Sequence, residues 1–253
     1  GADGDVVRTY SSKRPKRRQQ DEGSFMRPGS GARGQSLSNE KGMHRFAWDL
    51  RYPGPRSVDS DRPSGRGPMA VPGAYQVRLT VGDWLQTQDF ELKIDPRIAQ
   101  DGVTLADLQE QFEHNTRTRD RISELRQAVA EIRSIRTQLD SLANKIAGAD
   151  GVLELTKEIA KKLTTIEEAL IQTKEGKVGA QLKPKLQGQL TYLYGMTTRA
   201  DQKPGRDAHQ RLADIEKILS EHTSSLRMVL GEDVKKLNAK LREMGEDDVK
   251  VEN

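Results

Sequence analysis

The 253-residue sequence carries 42 basic and 38 acidic side chains, for a net charge of +4, and it contains no cysteine. That excludes disulfides, thiolate metal centres and cysteine nucleophiles, and so small an excess of positive charge is a weak basis for nucleic-acid binding. Only 34% of residues are hydrophobic against 32% charged, which argues against one large core and for amphipathic helices beside a small β domain; no run approaches the ~20 apolar residues of a membrane-spanning helix.

In chain order, Asp3-Gly4-Asp5 followed by Val6, Val7, Thr9 and Tyr10 reads as the second half of a β-hairpin. Its first half is missing, so the expectation is a piece of a longer polypeptide. Residues 11–42 are rich in Gly, Ser, Arg and Lys, with Lys13, Arg14, Lys16, Arg17 and Arg18 as the densest basic run. With almost nothing apolar to offset the entropy of ordering, they predict a long mobile loop, and the basic run is a candidate electrostatic contact to an acidic partner. Met43 to Leu50 alternates, placing Phe46, Trp48 and Leu50 on one side, and predicts a half-buried strand ended by Arg51-Tyr52-Pro53-Gly54-Pro55. After a second Pro/Gly/Ser loop over 54–73, Tyr75, Val77, Leu79 and Val81 alternate with polar residues. Gly82-Asp83 turns the chain, and Phe90, Leu92 and Ile94 continue the alternation. Asp95-Pro96-Arg97 closes the segment.

From Thr104 the period becomes helical, with Thr104 and Asp107 spaced close to a capping box. Ile122, Leu125, Val129, Ile132, Ile135, Leu139, Leu142 and Ile146 keep steps of three and four. They predict a helix of roughly 65 Å, punctuated by Gly148 and Gly151. A second helix is expected over about 152–174 and a third over about 182–199, with Pro184 in its first turn. A fourth is expected over about 206–244, in which Gly231 interrupts the seam, and then a frayed acidic tail over 246–253.

Catalytic patterns are absent. His44, His114, His209 and His222 have no metal-ligand spacing, and no phosphate-binding, dinucleotide or serine-nucleophile motif occurs. No cofactor is therefore expected. Helical carboxylates interleave with Lys and Arg, the pattern of a solvated face. Arg45 and Arg51 flank Asp49 and predict surface ion pairs there, while Phe46, Trp48, Tyr52 and Tyr75 predict a small aromatic core.

One family resemblance runs through these segments. Asn39 to Pro53 (NEKGMHRFAWDLRYP) resembles a strand near the C-terminus of large bacterial sortilin-like proteins, also described as Asp-box or BNR-repeat β-propeller glycosyl hydrolases. Gly67 to Leu79 (GPMAVPGAYQVRL) is similar to that family's following strand. Asp95-Pro96-Arg97, the Leu-Gln-Glu-Gln-Phe helix start and Arg119 to Glu124 continue the likeness in order. The opening Asp3 to Thr9 resembles a hairpin of an Ig-like module in such proteins. The sequence departs from the family in carrying His44 in place of Asn and no Asp-box, so hydrolase activity does not follow.

The resemblance and the patterns together imply an α+β multidomain chain. Residues 1–97 are expected as an immunoglobulin- or fibronectin-like β-sandwich lacking its first strand, with basic loops at 11–42 and 54–73. Residues 98–245 are expected as a four-helix antiparallel bundle, with 246–253 as tail. The implied function is a non-catalytic C-terminal interaction or assembly module of a secreted or envelope-associated propeller protein, whose partner is the propeller portion of the same polypeptide or another chain. Candidate binding residues are Arg45, Trp48, Arg51 and Tyr52, beside the basic run Lys13, Arg14, Lys16, Arg17 and Arg18. Two alternatives stand beside it: a supporting part of a glycoside- or peptide-hydrolysing propeller enzyme with its active site elsewhere, and a stand-alone basic adaptor.

Overall fold

The computed structural model describes residues 4–13, 37–60, 62–146, 150–173 and 183–251. It mixes α and β, with two two-stranded antiparallel sheets and a set of helices. The chain divides into two compact units, Gly1–Pro55 with Pro63–Phe112 and Asp201–Lys203, and Arg56–Arg62 with Glu113–Ala200 and Pro204–Asn253.

In the first unit, strand β1 (Arg51–Pro53) pairs antiparallel with β2 (Arg66–Met69), and β3 (Gly73–Val81) with β4 (Trp84–Leu92). The second pair is the expected hairpin, in register from Gly73 opposite Leu92 to Val81 opposite Trp84. Gly82 supplies the turn with φ +58°, a left-handed conformation that glycine adopts without strain. The expected strand over 43–50 is not formed. Leu50 takes φ +57°, which bends the chain out of the extended line, and a leucine held there stores about 1–3 kcal/mol of strain. Its carbonyl still accepts from Ala70 N at 2.7 Å, so pairing begins only beyond the bend. Arg51-Tyr52-Pro53, expected to end a strand, is itself the strand, and its partner β2 lies inside the expected loop over 54–73.

Gly67 makes that pairing feasible. A Cβ at this position would lie 1.9 Å from the Tyr52 carbonyl oxygen, so only glycine lets β2 approach β1 this closely. Helix α1 (Pro96–Gln100) follows, with Asp95 as its N-cap. Asp95 Oδ1 accepts from Arg97 N at 2.9 Å, and Oδ2 accepts from Arg97 Nη2 at 2.7 Å. The arginine side chain first, and then the backbone N–H, hold the Asp95 carboxyl down at about 2. A depressed carboxylate contributes while pH stays above its ordinary value, and the contribution fades as pH falls toward about 2. An NMR titration of the Asp95 carboxyl should find that low midpoint, and Arg97→Ala should move it back up toward the ordinary carboxylate range.

Helix α2 (Leu105–Lys145) opens with the expected capping box: Asp107 N donates to Thr104 Oγ1 at 3.2 Å, and Thr104 N donates to Asp107 Oδ2 at 2.9 Å. In the second unit, α3 (Asp150–Leu170) packs on α4 (Leu186–Thr197), on α5 (Arg206–Met228) and on α6 (Lys235–Glu243). The predicted seams form one buried cluster: Leu125, Ile132 and Leu139 of α2, Ile159 and Leu163 of α3, Leu190 of α4, Ile215 and Leu219 of α5, and Leu237 of α6. Gly151 lies inside α3 rather than ending a helix, and Pro184 precedes the N-cap Lys185 rather than sitting in the first turn of α4.

The expected fourth helix is interrupted. Residues Val229–Val234 form a π-helical turn between α5 and α6, with Gly231 within it. Lys162 of α3 donates to Asp233 Oδ2 of this turn at 2.9 Å, an ion pair that raises the Lys162 ammonium, as does Glu158. The tail is docked rather than frayed as far as Lys250. Val249 is 5% exposed. Two carboxamides grip the backbone beside it: Asn238 accepts from Val249 N at 2.9 Å and donates to its carbonyl at 3.0 Å, and Gln138 does the same for Lys250 at 2.8 and 3.0 Å. Each amide stands in for a paired strand, offering one donor and one acceptor to one residue.

Helical carboxylates are not all on a solvated face. Glu167 of α3 has a side chain only 4% exposed and accepts from Arg133 Nε and from Arg136 Nη1 of α2, both at 2.8 Å. Glu216 of α5 accepts from Arg117 and Arg121 of α2 in the same manner. Burial works to raise its carboxyl, but the two arginines outweigh that and hold it below the usual range.

Candidate functional site

The sequence-predicted binding residues lie in the first unit. Trp48 is half-buried before β1 and packs edge-on against Tyr75 of β3 at 5.9 Å and Phe90 of β4 at 6.4 Å between ring centroids. Tyr75 and Phe90, directly opposite in the ladder, stack at 5.8 Å. Separations in this range and these tilts are the favoured ones for aromatic pairs. Trp48 Nε1 donates to the Arg51 carbonyl at 3.2 Å, which fixes the indole to β1. Tyr75 Oη donates to Val71 O at 2.6 Å, and burial raises its phenol above the ordinary value, so at neutral pH it remains a donor.

The structure brings Trp48, Arg51 and Tyr52 together and leaves Arg45 aside and exposed. Arg51 does not pair with Asp49; its guanidinium donates to the Gly67 carbonyl at 3.0 Å and straps β2 to β1. Asp49 instead approaches Arg8 at 3.9 Å and accepts from Arg51 N at 3.3 Å. Tyr52 packs on Phe112 at 4.9 Å. Lys13 is exposed, and its backbone N–H donates to Ser11 Oγ at 3.1 Å; Arg14, Lys16, Arg17 and Arg18 fall outside the described residues.

Arg8 is the residue that the sequence pattern did not single out. Its Nη1 donates to the Tyr52 carbonyl at 3.3 Å, and its guanidinium lies 5.4 Å from the centroid of Tyr10, within cation–π range. Tyr10 in turn meets Phe46 edge-on at 4.5 Å. Its phenol is raised, by burial first and with Asp49 adding, against an opposing pull from Arg8. No periodic signal points to Arg8, because its partners are backbone carbonyls some forty residues away in the chain.

The aromatic cluster covers one end of the hairpin only. Alternation places Tyr75, Val77, Leu79, Val81, Trp84 and Phe90 on one face, with Gln86 opposite Leu79 and Gln88 opposite Val77. Of these, Val77 is 55% exposed, Leu79 47%, Val81 63% and Trp84 51%, and even Phe90 keeps 37%. Of the aromatic residues expected as a small core, Trp48, Tyr52 and Tyr75 are half-buried and Phe46 is 40% exposed, and the rest of the β3 stripe is open. The opposite face carries Gln76, Arg78, Thr80, Thr87, Asp89 and Glu91, together with Ala74 and the exposed Leu85.

In the second unit, an open groove of about 540 Å³ is lined by Gly151, Glu154, Leu155, Lys157, Glu158, Lys161 and Lys240. Its charges are largely matched within α3, as in Lys157 with Glu154 at 3.3 Å. Among the described residues, no three His, Asp or Glu side chains gather as they would around a metal ion, and no helix is long and apolar enough to cross a membrane. No protein-family model matches the chain, and neither a curated protein nor a solved structure matches it.

Proposed function

We propose that this chain is a non-catalytic interaction and assembly module of a secreted or envelope-associated protein of the sortilin-like β-propeller kind. In this reading the first unit belongs to an immunoglobulin- or fibronectin-type sandwich, and the helices of the second unit form an antiparallel bundle. The observation that carries the reading is the apolar hairpin face. A two-stranded ribbon has little stability of its own in water, and contiguous apolar exposure at Val77, Leu79, Val81 and Trp84 is the mark of a surface that another polypeptide covers. The WDLRYP and PGAYQVRL blocks contribute the residues on both sides of the aromatic cluster, Trp48 and Tyr52 from one and Tyr75 from the other. The partner is the propeller portion of the same polypeptide or a separate chain, with alternating β-segments that lay an apolar face on the hairpin.

Native mass spectrometry of the 28.3 kDa chain isolated from its source tests this. The expected result is a complex with a larger, propeller-sized polypeptide, released when Leu79→Asp and Trp84→Asp are introduced together. A chain that travels without a second polypeptide, or a complex indifferent to both substitutions, overturns the reading.

A further inference from the structure

The hairpin has an edge as well as a face, and the two pose separate questions. In a hairpin closed by a two-residue turn, the pair flanking the turn exchanges both backbone bonds. With Val81 opposite Trp84 as that pair, Val81, Leu79, Val77 and Tyr75 direct their N–H and C=O groups to β4. Ala74, Gln76, Arg78 and Thr80 therefore direct theirs outward, where no strand lies among the described residues. Of the devices that natural edges use against pairing, β3 carries one, the single charge of Arg78. The strand is nine residues long, contains no proline, lysine or acid, and runs without a bulge along β4.

We infer that β3 is a self-association edge that pairs antiparallel with β3 of a second copy of this chain, about a two-fold axis at Val77. Strand symmetry and charge select this register. Val77 is the midpoint of Gly73–Val81, so pairing about it engages the whole strand. Gln76 then faces the partner's Arg78, and Ala74 faces the partner's Thr80. These are the residues with outward backbone groups, so each such pair exchanges two bonds. Tyr75 faces the partner's Leu79, apolar against apolar on the same side of the sheet. A register centred on Arg78 would set the two arginines opposite each other, where like charges destabilise. Centring on Gln76 leaves Thr80 beyond the partner strand. Pairing through β4 would instead bring together Asp89 and Glu91 of both copies with no base among the outward positions. In the Val77 register each Arg78 reaches across Gln76 toward the partner's Asp89, which stands opposite Gln76 within its own hairpin. The result is a four-stranded sheet whose apolar face is doubled and left free for the larger partner proposed above. The self-association does not depend on that partner's identity.

Sedimentation equilibrium of the full chain tests the inference. The wild type should dimerise reversibly. Gln76→Lys, which gains a favourable neighbour in Asp89 and so keeps the hairpin, should weaken dimerisation by about 2- to 30-fold through two like-charge pairs across the axis. Adding Arg78→Glu to Gln76→Lys should restore the dimer to wild-type strength or tighter, since each pair then has opposite signs. A wild type that stays monomeric, or a dimer indifferent to the charge reversal, overturns it. The two proposals fail separately: a complex with a propeller-sized polypeptide holding one copy of this chain sinks only the dimer, and a charge-sensitive dimer with no larger partner sinks only the propeller reading.

Discussion

Replacing Arg133 and Arg136 together by methionine should cost about 3–5 kcal/mol of stability in the helical unit, the range for leaving a buried charge without its partners. The Glu167 side chain is 4% exposed, and both of its carboxylate oxygens are engaged by these two guanidinium groups. The arginines themselves are 47% and 37% exposed, so water can serve them once the carboxylate is gone, but little water reaches the carboxylate when they are gone. The asymmetry yields a second expectation. Adding Glu167→Met to the double variant should recover most of the loss, because an apolar side chain of similar size suits a site bordered by Ile166 and Leu170. Urea unfolding followed by helical circular dichroism checks both. A double variant as stable as the wild type would mean that solvent reaches Glu167 freely.

Gly67→Ala should disable the first unit more thoroughly than its single added methyl implies. The new Cβ would sit 1.9 Å from the Tyr52 oxygen and 2.5 Å from the Pro53 oxygen, both backbone atoms that no rotamer change can move. Strand β2 must then leave β1. The cost reaches or exceeds the top of the ~1–3 kcal/mol typical of overpacking, and the bond from Arg51 to the Gly67 carbonyl is lost with it. Since Arg51 O also holds the Trp48 indole, Trp48 fluorescence should shift toward that of a solvated indole even where the helices remain folded. Gly205→Ala is the matched control. A Cβ there meets nothing within 4 Å, and its φ of −67° is ordinary, so the change should be within a few tenths of about 1 kcal/mol at an N-cap. Equal behaviour of the two variants would remove close approach as the reason for Gly67.

The parts of this fold legible in the sequence are those that repeat. Alternation marks β3 and β4 and assigns each residue to a face, and steps of three and four mark the seams of α2 through α5. The capping box is legible because it is local. What periodicity misses is single-residue backbone geometry and long-range polar pairing. Phe46-Ala47-Trp48-Asp49-Leu50 alternates well enough for a strand, yet Leu50 turns into the left-handed region, a choice made by the β1–β2 contact and not by the residue. Glu167 lies in a run, Thr164 to Glu168, that resembles any solvated helix surface; its burial depends on two arginines placed by another helix. For the candidate site, Trp48, Arg51 and Tyr52 were recoverable as a motif, whereas Arg8 binds backbone carbonyls and leaves no trace in composition or spacing. The tail clamp was equally hidden, because Asn238 and Gln138 read peptide groups and not side chains.

The π turn between α5 and α6 bears on how this chain tolerates insertion and deletion. Buried positions in the preceding seam are three or four apart, but Val229 and Val234, both buried, are five apart. The helix thus holds one residue more than its contact stripe requires, and the wide turn absorbs it without rotating α6 away from its contacts. Loss of a single residue here would shorten the interval to four and leave Leu237 and Leu241 pointing inward, whereas the same loss in the middle of α5 would swing everything downstream by about 100°. Length variation among descendants of this sequence is therefore expected to collect around Gly231, at a place that is inside a helix and yet behaves like a loop.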